Sequence, residues 1–325
     1  MLRFSSSTLG IACLAMAACG GGGGGGSGNA GQTTDTGVHV DAATGDDATG
    51  DGSSARPFRS ITRGMLAADF GETVYVGPGT YDAAHGEFFP ILPPLGATIV
   101  GTEHLNPFGG TTRLTHVVGG GYWSGDPDHR LHATIVPNND NHVSGMTFEN
   151  PEPFVVGGAK PAAIVLSHPR VRLDSCSFQN SDKGMRLVGG AHDTYTTNCA
   201  FFGSLVGVYV EGASGANRFE DCYVASNNVG VMCFSTGADF GGDITASMGG
   251  NVFTANEQND FVHAAGEGVT LYAAYCFWDH APPTYSGAGG PKDPTSDIWI
   301  ADLAANVVSG SYQLYDASNP PPAHP

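Results

Sequence analysis

Apolar and polar residues alternate in short runs along the middle of this chain, and the runs recur. Met185 and Leu187, Val208 and Val210, and Val231 and Cys233 hold equivalent apolar positions, each pair twenty-three residues after the last. Alternation over a few residues predicts half-buried β-strands, because successive side chains of a strand leave opposite faces. The same step carries Cys176 to Cys199 and Cys222, in "CSFQNSDKG", "CAFFGSLVG" and "CYVASNNVG". In each copy Phe or Val stands two after the Cys, a small polar turn follows, and Gly stands eight after the Cys.

A fixed repeat of this length marks a solenoid. Twenty-three residues are too few for a helix pair, and the runs are rich in Val, Phe and Tyr, so three short strands joined by turns are expected per lap. The fold class that follows is all-β: a single-stranded, right-handed parallel β-helix whose hand obeys the crossover rule for parallel strands. Looser copies begin at Val143, Asn251 and Cys276. About ten laps are expected, a rod roughly 45–50 Å long at the spacing of neighbouring strands. Equivalent residues then stack in files. Cys and Phe files suit a dry interior. Stacked Cys residues have near-parallel Cβ vectors, a poor disulfide geometry, so reduced thiols are expected.

The first lap needs a lid. In "RPFRSITRGMLAADFG" the apolar Ile61, Met65 and Ala68 have helical spacing, Ser60 is an N-cap candidate and Gly71 a stop, which predicts a short N-terminal capping helix.

The two ends change the picture. "MLRFSSSTLGIACLAMAAC" has one basic residue and an apolar run too short to span a bilayer, and reads as an export signal. "MAAC" resembles a bacterial lipobox, so residues 1–18 are expected to be a lipoprotein signal peptide and Cys19 the lipidated N-terminus; the alternative is an ordinary secretory signal. Residues 19–37 then form a Gly-rich flexible tether, 38–317 the β-helix, and 318–325 a Pro-rich disordered tail. The expected location is the bacterial cell envelope, at the outer membrane or cell surface, and the protein is expected to be a monomer that meets the membrane through the anchor only. The formal charge of −18 argues against nucleic acid as a partner.

The segments "GDDATGDGSSARPFRSI", "VGPGTY" and "GEFFPILPPLGATIVG" resemble the opening module of a bacterial family, domain of unknown function 1565. The likeness is closest over Val40 to Gly101, and the laps behind it look like the pectin-lyase-like β-helix in general. It implies that fold. It implies no activity, since this fold carries lyases, hydrolases and non-catalytic surface proteins alike.

No catalytic residues are assigned. The chain has only three Lys, at 160, 183 and 292, and no polygalacturonase-like pattern of carboxylates. Outward positions carry the candidate chemistry. One file is Arg186, Tyr209 and Met232, with Glu211 in the file beside it; another, one strand earlier, is Arg172, Tyr195 and Arg218. Arg and aromatic groups ranked on a ridged surface suit a polysaccharide or cell-envelope glycan. The alternative is surface ion pairs, Arg172 with Asp174 and Arg218 with Glu220. Tyr122 and Trp123 are further glycan candidates, with Trp278 and Trp299 as companions or core.

No cofactor is required, but Ca²⁺ has one candidate site in "DAATGDDATGDG", where Asp46, Asp47 and Asp51 follow Asp41. The competing and favoured reading is a turn whose Asp side chains accept backbone N–H bonds. Asp239 and Asp243 sit in a lap with six extra residues, since Val224 to Phe253 spans twenty-nine positions. His116, His129, His132 and His142 match no familiar metal spacing and read as scattered surface residues. The reading is a lipid-anchored, non-catalytic polysaccharide-binding or scaffold module, with a lyase or glycoside hydrolase of the same fold as the alternative.

Overall fold

The computed structural model describes residues 36–103, 114–123, 131–153, 160–242, 247–264, 270–287 and 295–300, with the backbone of 306–308 and 313–314. The expected signal, Cys19, most of the tether, His129, Asp243, Lys292 and the C-terminal tail lie outside the described residues.

The laps wind into three long sheets, with a separate parallel pair formed by Thr270–Tyr272 and Asn306–Val308. The first holds seven strands in the order Val38–Val40, Thr73–Val76, Thr98–Val100, His142–Ser144, Arg172–Asp174, Tyr195–Thr197 and Arg218–Glu220. The second is built around Leu131–Ile135, Lys160–Leu166, Lys183–Leu187, Val206–Val210, Val229–Cys233 and Phe261–His263. The third runs from Gly79–Asp82 through Ser177–Gln179, Ala200–Phe202 and Tyr223–Ala225 to Gln313–Leu314. Every described ladder is parallel except that of Gly121–Tyr122 with Leu131–Ile135. Parallel neighbours need a full lap between them, which the repeat supplies.

The register obeys the twenty-three-residue step. Met185 pairs with Val208 and Val208 with Val231, and Leu187 pairs with Val210 and Val210 with Cys233, all buried. Ser177, Ala200 and Tyr223 share a rung position, so the preceding Cys176, Cys199 and Cys222 share one file. All five described Cys are buried and unpaired. Burial pushes the Cys276 thiol up to about 12, and lifts Cys199, Cys222 and Cys233 as well. Above the Cys file, Val117, Phe148, Phe178, Phe201, Val224, Phe253 and Trp278 stack as the large-residue file.

Corners are made by left-handed residues repeated lap by lap. Gly145, Ser175, Asn198, Asp221, Gly250 and Tyr275 precede the Cys-file positions, all with positive φ. At the next corner a polar ladder satisfies the turn amides: Ser181 N donates to Ser204 Oγ at 3.3 Å, Ser204 N to Asn227 Oδ1 at 3.1 Å, and Asn227 N to Asn256 Oδ1 at 3.0 Å. Small polar residues recur there because a buried turn must pair its N–H groups.

One helix, Ile61–Ala67, lids the first lap with Ile61, Gly64 and Met65. Its first-turn amides are all taken. Glu87 Oε1 accepts from Ile61 N at 2.6 Å and Oε2 from Thr62 N at 2.9 Å, while Ser60 Oγ accepts from Arg63 N at 3.1 Å. The helix ends at Ala67 with Ala68 as its C-cap, short of the expected stop at Gly71.

Not every inward position is apolar: Asn251 takes a place in the Cys file and His263 pairs with Cys233, both buried. Thr196 lies between Leu173 and Phe219 in a buried file, and its hydroxyl has no hydrogen-bond partner. Thr196→Val is isosteric and removes a buried, unsatisfied group. It is expected to raise the free energy of unfolding by about 1 kcal/mol in urea titration.

Candidate glycan-binding face

The outer side of the first sheet is where the sequence-predicted groups meet. Inward residues Val74, Ile99, Val143, Leu173 and Phe219 leave the alternate positions outside. One outer file reads Thr98, His142, Arg172, Tyr195 and Arg218. The other reads His39, Tyr75, Val100, Ser144, Asp174, Thr197 and Glu220. Neighbouring rungs are about 4.8 Å apart, so Arg172 and Arg218 flank Tyr195 across roughly 10 Å.

Two depressions share this face and meet at Arg172 and Asp193. One, of about 310 Å³, is lined by Arg172, Asp193, Thr194, Tyr195, Ala216 and Arg218. The other, of about 410 Å³, adds Asp140, His142 and Arg170. A third of about 240 Å³ lies at the base of the same sheet, beside His39 and Tyr75, whose rings stack at 5.0 Å.

The electrostatics of the trough are uneven. Arg170 is neutralised by a fork to Asp140, Nε to Oδ1 at 2.6 Å and Nη2 to Oδ2 at 2.8 Å. The guanidinium groups of Arg172 and Arg218 make no hydrogen bond or ion pair with any described residue, so the pairs with Asp174 and Glu220 are not formed. Glu220 instead accepts the Tyr195 hydroxyl and the Met248 amide. Partial burial and then that carboxylate push the Tyr195 phenol up to about 12, which keeps it protonated and fixed. Burial holds the His142 imidazole below its ordinary value, against the pull of Asp174. The trough therefore offers two guanidinium forks, without partners among the described residues, on either side of an anchored aromatic ring.

The other predicted file needs correction. Arg186 and Tyr209 do share a rung position, but they are only 6% and 7% exposed. Tyr209 packs with Val206, Val229 and Val262, and Met232 and Trp299 lean on that cluster. Arg186 Nη2 reaches Glu211 Oε2 at 2.6 Å. This face of the second sheet is covered, so its files do not form an open ridge. Two cations that the sequence left unassigned also gather there, since Lys160 and Lys183 lie 5.4 and 5.3 Å from the Tyr209 ring. Tyr122 is exposed and meets His132 edge-on, whereas Trp123 is half-buried against His168. Trp278 is core. Neither Tyr122 nor Trp123 lines the trough.

The acidic stretch folds into consecutive turns. Asp41 accepts from Ala43 and Thr44 amides, Asp46 from Ala48 and Thr49, Asp47 from Arg59 and Ser60, and Asp51 from Ser53 while pairing with Arg56. Backbone N–H donors hold the Asp46 carboxyl below its usual range. The oxygens serve separate turns, and no group of three His, Cys, Asp or Glu among the described residues is placed to hold a metal ion. Asp239 is likewise a rung, pairing with Arg218 and Tyr272 and accepting from the Gly241 amide at 2.9 Å. His132 is buried beside Asn150, correcting its expected exposure, and the described histidines do not converge on a metal.

A carboxyl cluster sits elsewhere, around Asp260 just before the strand Phe261–His263 of the second sheet. Burial first, then Asp279 and Asp297, push the Asp260 carboxyl up to about 8, while Asn256 Nδ2 donates to its Oδ1 at 2.6 Å. A folded-state value above the unfolded one contributes stability that is complete below about pH 4 and lost as pH rises toward about 8. Asp260→Asn keeps the acceptor for Asn256. It is expected to flatten the fall in urea midpoint between pH 5 and 8, and to exceed wild-type stability by about 1–3 kcal/mol at the upper end.

The fold is a parallel β-helix of the pectin-lyase-like type. The chain belongs to the family described as protein of unknown function (DUF1565), whose model matches residues 43–285. No curated protein matches the sequence. Among solved structures it is similar to pectate lyase Pel9A, with 13% identity, 86% of this chain and 80% of that one covered, and a TM-score of 0.51. It is also similar to a pectin methylesterase from Aspergillus niger, with 16% identity, 87% and 78% covered, and a TM-score of 0.47. The likeness to Pel9A describes the fold alone.

Proposed function

We propose that the chain is a lipid-anchored module of the bacterial cell envelope that binds an extended acidic polysaccharide without cleaving it. The observation that carries this reading is the pair of guanidinium groups, Arg172 and Arg218, left without partners among the described residues on either side of Tyr195 in an open trough. A planar guanidinium matches a carboxylate through two parallel N–H bonds. An aromatic ring between two such forks offers a stacking surface for the sugar that links them. The chain as a whole is strongly acidic, and these two guanidinium groups are a local exception that suits an anionic ligand.

Calorimetric titration of the protein with polygalacturonate, alginate and a neutral glucan tests the reading. Binding of the acidic polymers, weakened by added salt and absent for the glucan, is the expected result. The same mixtures are then followed for unsaturated or shortened products. Their release would replace the binding role with a lyase or hydrolase. The one feature that favours hydrolysis is Asp260, a carboxyl protonated near neutral pH beside Asp279 and Asp297. It is 4% exposed and belongs to the second sheet, away from the trough, which supports binding over cleavage.

A further inference from the structure

The lidded end of the coil carries an uncovered apolar surface. Leu66, Phe70 and Phe88 are each 76% exposed, Leu92 48% and Leu95 40%. Two segments bring them together. The helix Ile61–Ala67 turns Ile61, Gly64 and Met65 onto the first lap and leaves Leu66 outside. Residues 87–96 run beside it, fixed at both ends. At one end Phe88 N donates to Thr62 Oγ1 at 3.0 Å, next to the Glu87 cap. At the other, Gly71 N donates to Leu95 O at 3.2 Å, and a methyl on Gly96 would lie 3.4 Å from the Phe70 ring. Five large side chains therefore share one surface, the kind of contiguous patch that marks a contact site.

We infer that this end of the coil rests on a phospholipid bilayer, with Leu66, Phe70, Phe88, Leu92 and Leu95 in the acyl boundary. The inference rests on the lipid-anchored reading above and adds a second contact to it. Cys19 and Thr36 are seventeen positions apart, which limits their separation to about 60 Å even for a fully extended chain. Thr36 leads at once into Val38–Val40, the strand on which the helix packs. The chain thus enters the coil at the end that bears the patch, and an acyl group on Cys19 brings that end to a bilayer first. The formal charge of −18 selects a zwitterionic surface over an anionic one.

The test uses the processed full chain, recovered from the expressing bacterium and reconstituted in phosphatidylcholine vesicles. The described Cys residues are buried, so a thiol introduced by Phe70→Cys, Phe88→Cys or Met248→Cys takes a fluorophore selectively. Met248 is 73% exposed and lies laps away, beside Glu220. Brominated lipid is expected to quench the label at 70 and 88 and to leave the one at 248 bright. Vesicle-bound protein with unquenched labels at 70 and 88 would overturn the docking while leaving the anchor intact. So would a dimer in detergent that shields position 70 and is lost on Leu66→Ser, which would assign the patch to a second copy. A mature chain whose mass shows no acyl group would remove the anchor reading and this inference with it.

Discussion

Phe201→Ala is expected to lower the free energy of unfolding by about 3–5 kcal/mol, the upper range for truncating one aromatic side chain in a packed core. Phe201 is fully buried and stacks on Phe178 with ring centroids 5.3 Å apart and planes 19° from parallel. Phe178 in turn stacks on Phe148 at 5.7 Å. The rung above Phe201 holds only Val224, and the nearest ring on that side is Phe219 at 6.5 Å, from another strand. A truncated side chain here leaves a void that Val224 is too short to fill, and the hydrogen-bonded rungs cannot slide together to close it. Urea denaturation followed by circular dichroism measures the loss. A change under about 1 kcal/mol would mean that the file relaxes into the gap and that the core is less tightly set than its stacking indicates.

Arg172→Ala and Arg218→Ala are each expected to weaken binding of an acidic polysaccharide by about 10–100-fold, as removal of a charge-assisted hydrogen bond implies. Neither guanidinium holds the fold together through a hydrogen bond or ion pair with a described residue, so the urea midpoint is expected to stay within about 0.5 kcal/mol of wild type. Arg170→Ala breaks the fork to Asp140 and serves as the control, with a smaller effect on affinity because that charge is already neutralised. Equal effects at all three positions would point to a diffuse charge effect, and unchanged affinity in the double variant would move the binding face elsewhere. Wild type and variants compared at low and high salt separate the two, since removing a cation that meets the polymer directly makes binding less sensitive to salt.

Much of this fold was legible because the repeat is in the sequence itself. Cys176, Cys199 and Cys222 announce the lap length, and the alternation around Met185, Val208 and Val231 announces which side is inside. The Arg172, Tyr195 and Arg218 file was legible for the same reason, because equal laps turn sequence spacing into vertical alignment. His142 escaped that logic. It stands thirty positions before Arg172, because the lap between them is longer, yet it occupies the same file. Alternation also says which residues leave the bore without saying what lies over them. Arg186 and Tyr209 point away from the core as expected and still end up buried, since longer strands of the second sheet carry an apolar layer on their outer side. The Asp46, Asp47 and Asp51 run shows a similar ambiguity: the same carboxylates that suit a cation also suit backbone amides, and here Asp46 and Asp51 take amides two residues on while Asp47 takes that of Arg59.

Because every strand of the first sheet runs the same way, the trough has a head and a foot. His142 lines one end of the trough and Arg218 the other, so turning a ligand end for end meets a different succession of groups. A polymer with distinct reducing and non-reducing termini would be read in a single sense. If the coil is tethered at its lidded end, as proposed, that sense also sets which terminus of the sugar chain faces the tether.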